Sequence, residues 1–251
     1  MKTILDKNLL EDLYSKGISY KEIAEITGYS KNTVNGYFWR TKGKMKDPWK
    51  FKRNQIEISQ EQKEILFGTL MGDGYVQRQC NHSYLGRINH CIAQKNYCEY
   101  LSDKLENLTS PVKDYFNKAK NGKTYHHCYF SLKNNYRLKE FYDLFYKNGK
   151  KDIPEDLSLL TPKAMAFWFM DDGYSSSKCT IGIATCSFSF EGLLRLKKYL
   201  FSKYGITVNI TKEFKLYFPA ESGRKFYSLV KDYIIPEMQY KFKDICVSKI
   251  L

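Results

Sequence analysis

Two short stretches place carboxylates in the same setting. "LFGTLMGDGY" (66–75) and "AMAFWFMDDGY" (164–174) each run from apolar residues into an aspartate and a glycine, at Asp73-Gly74 and Asp172-Gly173. A carboxylate at a helix C-terminus sits against the partial negative charge of that end, so something positive must compensate. If the two apolar helices pack side by side, both carboxylates meet at one end. Like charges that close raise a pKa unless a cation lies between them. Mg2+ suits such a place, because it takes a few carboxylates, keeps waters and accepts a substrate phosphate as a further ligand. Held there, a metal ion can activate water and stabilise the leaving oxygen of a phosphodiester. One Asp-Gly after a helix is an ordinary turn. Two of them, each after a capped apolar helix in a repeated unit of a basic chain, call for chemistry.

The elements that must position these acids are readable. Ser59 and Gln62 form a capping-box pattern before "KEILFGTLMG". Thr161-Pro162 opens the other apolar helix with proline at its first position. The two aspartates are 172 − 73 = 99 positions apart. Each helix is followed by strand-like sequence, a helical stretch ("KNYCEYLSDKLENL" or "FEGLLRLKKYLFSKYG"), and more strand-like sequence. The halves close on "KEFYDLFYKNGKKDIPE" and "RKFYSLVKDYIIPE". A duplicated unit with pseudo-twofold symmetry follows, with halves over 59–149 and 150–251.

Alternation assigns the strand faces. In "ITVNITKEFKLYF", Ile206, Val208 and Ile210 face one way, and Thr207, Asn209 and Thr211 the other. After a turn, Phe214, Leu216 and Phe218 are core candidates, while Lys215 and Tyr217 point outward. Arg78 precedes, and Arg87 and Asn89 lie within, comparable sequence in the first half. Such polar faces suit base edges and phosphates, although any solvated sheet has a polar outer face.

Residues 1–43 read as a small all-α unit. A helix from Lys7 stops at Gly17, a second begins at Tyr20, a turn falls at Gly28-Tyr29, and Ser30 caps a third. Ile23, Ala24, Ile26, Val34 and Tyr37 would pack together, leaving Lys31, Asn32, Thr33, Asn35 and Arg40 on the polar side. This resembles a helix-turn-helix, whose second helix enters the DNA major groove. Residues 44–58 then form a basic linker, in which Lys50, Lys52 and Arg53 can lie along phosphates.

The 251 residues are 43% hydrophobic, which excludes wholesale disorder. The 41 Lys+Arg against 27 Asp+Glu give +14, a balance that points to a polyanionic partner. No apolar run reaches the roughly 20 residues of a membrane span, and no signal-peptide core is present. The seven cysteines are odd in number and form no C-x-x-C pair, so reduced thiols in an intracellular setting, cytoplasmic or organellar, are expected. "CNH" (80–82) and "HHC" (126–128) offer zinc-ligand types at irregular spacing.

The paired motifs, their order and the sequence between them resemble the LAGLIDADG homing endonucleases in their single-chain, two-motif form, over residues 59–251. "LTPKAMAFWFMDDG", "KKDIPEDL" and "YIIPEMQYKF" resemble the mitochondrial intron-encoded branch. The resemblance implies an α+β fold of two αββαββα halves, whose saddle-shaped antiparallel sheets lie in the major groove. It also implies a monomer that cuts both strands of a long asymmetric double-stranded DNA target with Mg2+, or Mn2+ in its place, leaving short 3′ overhangs. By position, Asp73 and Asp172 match the metal-binding acids. Gly72 and Asp171 match residues whose carbonyls contribute to the metals. Lys151 and Lys241 match the basic residues near each scissile phosphate. Asn89 matches a polar residue near the attacking water, and its counterpart in the second half is Ala184. Gly68 and Gly72 give one helix a small-residue face, whereas Phe167 and Asp171 hold the aligned places, so an asymmetric interface is expected. Alternatives on the same scaffold are a non-cleaving transcription regulator and an intron maturase; retention of both acids favours the nuclease. An intein is disfavoured by the lack of Cys or Ser at residue 1 and of a terminal His-Asn.

Overall fold

Polar caps start the three helices of the N-terminal unit. Asp6, Ser19 and Ser30 accept hydrogen bonds from the backbone N–H groups of Leu9, Glu22 and Thr33, opening α1 (Lys7–Ser15), α2 (Tyr20–Thr27) and α3 (Lys31–Arg40). Gly28, at φ 71°, supplies the left-handed turn between α2 and α3. Leu10, Tyr14, Ile23, Ala24, Val34, Tyr37 and Phe38 form the core. Ile26, expected to pack there, is 58% exposed. The inward arc of α2 centres on Ile23 and Ala24 and returns at Thr27, so Ile26 falls outside it.

The computed structural model describes residues 5–41, 56–79, 84–133, 135–177 and 180–243. The chain folds as two units, Met1–Glu57 and Ile58–Leu251. Lys50, Lys52 and Arg53 of the expected linker lie outside the described residues.

The larger unit repeats one element order. The first pass is α4 (Gln60–Met71), β1 (Tyr75–Arg78), β2 (Tyr84–Cys91), α5 (Lys95–Leu105), β3 (Lys113–Lys118), β4 (Thr124–Leu132) and α6 (Leu138–Phe145). A short hairpin, β5 (Tyr146–Lys147) with β6 (Lys150–Lys151), leads to the second pass. That pass is α7 (Pro162–Asp172), β7 (Gly173–Ser177), β8 (Thr180–Ile183), α8 (Phe190–Tyr204), β9 (Asn209–Ile210), β10 (Leu216–Phe218) and α9 (Ala220–Val230). The sheets are antiparallel and share one strand order, β1-β2-β4-β3 and β7-β8-β10-β9. The expected α+β architecture of two pseudo-symmetric halves is therefore present.

Alternation holds in β2, where Tyr84, Gly86, Ile88 and His90 are buried and Leu85, Arg87 and Asn89 are half-buried on the other face. In the second half Ile206, Val208, Leu216 and Phe218 are core as expected. Phe214 is not: it is 41% exposed. It occupies the turn, at φ 58°, where period-two alternation has no meaning, and its ring leans on Phe190.

The central feature is the pairing of α4 with α7. The Ser59/Gln62 capping box opens α4, and Thr161 with Pro162 opens α7. Across their starts, Thr161 Oγ1 donates to Glu64 Oε2 (2.8 Å) and Lys163 Nζ to Glu61 Oε1 (2.9 Å). Residues Ile65–Met71 and Ala164–Asp171 are buried throughout. A Cβ on Gly68 would stand 2.3 Å from the Ala164 carbonyl oxygen and 2.9 Å from Phe167 Cβ; one on Gly72 would stand 2.5 Å from Asp171 Cβ. The bulky residues of α7 fill the hollows of α4, which is the asymmetric interface expected. Gly74 and Gly173 do not act as the left-handed C-caps that Asp-Gly suggests. α4 is capped by Gly72 at φ −102°, and Gly173 is extended at φ −74°. Space is what Gly74 and Gly173 supply, since a Cβ would come within 2.8 Å of Thr69 O at Gly74 and 2.4 Å of the Phe169 ring at Gly173.

Because the atom facing Gly68 is backbone, Gly68→Ala must push the helices apart. We expect a loss of about 2 kcal/mol or more in urea unfolding; a loss below about 0.5 kcal/mol would contradict the close approach.

Candidate active site

Helix pairing brings the carboxylates of both motifs to one tip. Asp171 Oδ2 accepts the backbone N–H of Asp73 (3.2 Å), which ties the second motif directly to the first. Asp171 Oδ1 accepts the hydroxyl of Tyr97 (2.8 Å). His90, from β2, lies against both acids: Nδ1 is 3.3 Å from Asp73 Oδ2 and Nε2 is 3.9 Å from Asp171 Oδ1. Neither nitrogen is aligned for a hydrogen bond, although the ring is fully buried. The Asp73 side chain is 41% exposed, so the cluster opens to solvent at that residue. Asp172 is half-buried, and its carbonyl accepts the N–H of Ala184 (3.0 Å).

Burial pushes the Asp172 carboxyl up to about 7, and the neighbouring Asp73 and Asp171 add to the shift while Lys151 and Lys241 oppose it. Burial also raises Asp171 to about 7, reinforced by Asp73 and opposed by His90 and Tyr97. Burial alone would lower the His90 imidazole, but Asp73 and Asp171 outweigh it and the net shift is upward. Lys151 is brought down to about 8 by burial, against the pull of all three aspartates, and Lys241 is lowered for the same reason.

Each lysine reaches a different motif, Lys151 from the β5–β6 hairpin the first and Lys241 the second. Lys151 Nζ donates to the carbonyls of Gly72 (2.9 Å) and Gly74 (2.8 Å). Lys241 Nζ donates to the carbonyl of Asp171 (2.6 Å). These ammonium groups offset the negative ends of α4 and α7. They also occupy the two carbonyls expected to face metal ions. Asp73, His90 and Asp171 offer ligand atoms lying within 4.8 Å of one another, and the Asp172 carboxyl feels the charges of Asp73 and Asp171. A donor set rich in carboxylate oxygen, with burial and then mutual repulsion raising Asp171 and Asp172, fits a hard divalent cation such as Mg2+. His90 adds one nitrogen donor.

The remaining sequence-derived residues do not gather at this cluster. Asn89 lies on the sheet face opposite His90, with its Oδ1 buried and unbonded. The Arg87 guanidinium covers the Tyr129 ring at 4.5 Å. Arg78 pairs with the core residue Tyr84, so it lies at an exposed strand end, off the face that carries Arg87. Thr207 and Asn209 are exposed, and Lys215 and Tyr217 half-buried; Thr211 Oγ1 accepts from the Lys215 N–H within the turn. On α3, Lys31, Asn32, Thr33, Asn35 and Arg40 are all exposed, with Arg40 Nε donating to Gly36 O. No zinc grouping forms among the described residues: His126 pairs with Asp114, Cys128 is buried, and 80–82 lie outside them. Sequence reasoning missed His90, Tyr97 and the Asp171 side chain. The signal was present, because the alternation that turns Asn89 outward turns His90 inward.

The model of the LAGLIDADG DNA endonuclease family matches residues 63–226. DNA endonuclease I-ChuI of Chlamydomonas applanata is 27% identical over 212 residues, covering 75% of this chain and 97% of that protein. Cytochrome b mRNA maturase bI2 of Debaryomyces hansenii is 28% identical over 204 residues, covering 73% of this chain and 74% of that protein. The solved structure of the homing endonuclease I-WcaI bound to its DNA recognition sequence matches with a TM-score of 0.71 at 27% identity, covering 80% of this chain and 94% of that one. Among the described residues no helix is long and apolar enough to cross a membrane.

The raised Asp172 carboxyl makes a stability statement. A folded pKa of about 7 against an ordinary 3.8 means stability present at acid pH and lost as pH rises through 7. In metal-free buffer at pH 8, Asp172→Asn should therefore raise stability by about 1–3 kcal/mol, with the gain vanishing towards pH 4. Thermal melts across that range check the sign; a variant less stable at pH 8 than at pH 4, relative to the parent, refutes it.

Proposed function

Because the chain belongs to the LAGLIDADG DNA endonuclease family, we propose that it is a site-specific endonuclease that cuts both strands of a long, asymmetric DNA target with Mg2+, leaving short 3′ overhangs. The observation that carries this reading is the convergence of both motifs' carboxylates, with one lysine bonded to each motif, at the tip of the paired helices α4 and α7. Asp73 and Asp172 would hold the metal ions, while the carbonyls of Gly72 and Asp171 are held by Lys151 and Lys241. Bound there, Mg2+ supplies charge neutralisation on the phosphate and a more acidic water. The chain's own residues do the rest. Asp73 and Asp172 face the backbone of the duplex. Lys151 and Lys241 fix the main chain at each tip and place positive charge beside the scissile phosphates. The outward faces of the sheets, with Arg87, Asn89, Asn209, Lys215 and Tyr217, read the groove. Residues 1–43, joined through the basic stretch 44–58, add contacts from α3 at one end of the site. One chain supplies both halves, so a monomer suffices.

A second reading has a specific observation behind it. The 28% identity to an mRNA maturase supports RNA binding on the same scaffold, with splicing rather than cleavage as the outcome. An RNA splicing assay addresses it directly.

The deciding experiment selects cleaved sites from a randomised DNA library with Mg2+. We expect one bounded site with staggered ends at its centre. Asp73→Asn or Asp172→Asn should then lower cleavage by about 10³-fold or more, while target binding stays within about threefold. A parent protein that cuts no member of the library in Mg2+ rejects the nuclease reading. Asn32→Ala and Asn35→Ala should relax base preference at one flank only, each weakening binding by about 1–3 kcal/mol. Footprints with no altered flank would remove α3 from recognition.

A further inference from the structure

The cluster at the helix tips is one-sided. His90 and Tyr97 come from the first half and Asp171 from the second. With Asn89 aligned to Ala184, the same register carries His90 to Thr185 and Tyr97 to Gly192, while Asp171 aligns with Gly72. Thr185 turns away, its hydroxyl bonded to the carbonyl of Phe214 (2.5 Å). At Gly192 no side chain fits, because a Cβ would stand 2.8 Å from Asp152 Oδ1. Asp73 thus has a buried His and Tyr beside it, which Asp172 lacks at the aligned positions among the described residues.

The scaffold acts on Asp73 from two sides. Asp171 Oδ2 holds its backbone N–H, and the buried His90 ring backs its carboxylate at 3.3 Å. Tyr97 in turn holds Asp171 Oδ1, and Lys241 holds the Asp171 carbonyl. Both Asp171 oxygens are thereby engaged by first-half residues. The fully buried imidazole has its nitrogens 3.3 Å from Asp73 Oδ2 and 3.9 Å from Asp171 Oδ1, so it is packed against acids of both motifs. The Tyr97 ring packs on it at 5.0 Å.

We propose that His90, Tyr97 and the Asp171 carboxylate are positioning residues that hold Asp73 relative to Asp172, so that cleavage of one DNA strand depends on a network the other strand does not share. This rests on the nuclease reading above.

The test uses the full chain and its selected target on a supercoiled plasmid, together with a duplex labelled on each strand separately. In Tyr97→Phe and His90→Leu, cleavage of one strand, the same in both variants, falls about 10- to 100-fold, as expected for a displaced catalytic group. The other strand stays within about twofold, so nicked circles accumulate. Calorimetric titration of the uncut complex with Ca2+ weakens in the same variants, while metal-free target binding is unchanged. Thr185→Val, the counterpart outside the network, keeps the parent's ratio of strand rates. Either variant that retains the parent's unfolding midpoint carries the test. Equal slowing of both strands, an unchanged ratio of rates, or unaltered Ca2+ binding overturns the inference while leaving the nuclease reading intact. A parent that cuts neither strand overturns the nuclease reading and this inference with it.

Discussion

The approach of α4 to α7 is the constraint on which the site depends. Backbone meets backbone at Gly68, and Asp171 presses into the place a side chain at position 72 would need. Both helices are buried along their last two turns, which explains why neither shows an amphipathic stripe. The contact is complementary rather than symmetric: glycines on one helix receive Phe167 and Asp171 of the other. A single chain with two diverged motifs solves a packing problem that an isologous dimer must solve with one sequence.

That packing creates an electrostatic problem at the tip. Two helix C-termini converge there with three aspartates, and burial raises two of these carboxyls to about 7. The lysines answer it locally. Lys151 and Lys241 are not in equivalent positions: one precedes Ile153-Pro154-Glu155 and the other follows Ile235-Pro236-Glu237. Yet each reaches one motif, at the carbonyls of Gly72 and Asp171, which are aligned positions. Both ammonium groups thus reach aligned carbonyls from unlike positions in the sequence.

Much of this is legible because strong local rules coincide with the duplication. The caps at Ser30, Ser59 and Thr161 and the paired motifs each have a sequence signature, whereas Lys151 and Lys241 stand out only through the family resemblance. The misreadings occur where a rule loses to its neighbours. Asp-Gly suggests a left-handed cap, but at Gly74 and Gly173 the crowding from Thr69 and Phe169 decides the residue instead. Phe214 counts as core only if alternation is carried through a turn. His90 is missed when the strand is read for its outward face. The Asp171 side chain is missed because its neighbour already fits the motif. What no local pattern can supply is that Tyr97 and Asp171 meet, since that contact exists only once the two halves are packed.

The two halves share a fold and differ in what they show to the outside. The outward face of the first sheet pairs Arg87 with Ser131 and Asn89 with Tyr129, next to Tyr115 beside His127, so it is crowded with aromatic rings and hydrogen-bonding groups. The second sheet places Gly182 between Tyr174 and Tyr217, and its strand β9 spans only Asn209–Ile210. A Cβ at Gly182 would collide with the Tyr174 ring at 2.4 Å, so that ring lies flat over the sheet where the first half raises polar side chains. Faces this different cannot present the same donors and acceptors to two half-sites. Under the proposed function, target asymmetry therefore follows from side-chain chemistry on a symmetric backbone, and the same divergence that built the one-sided network beside Asp73 also divides the labour of recognition.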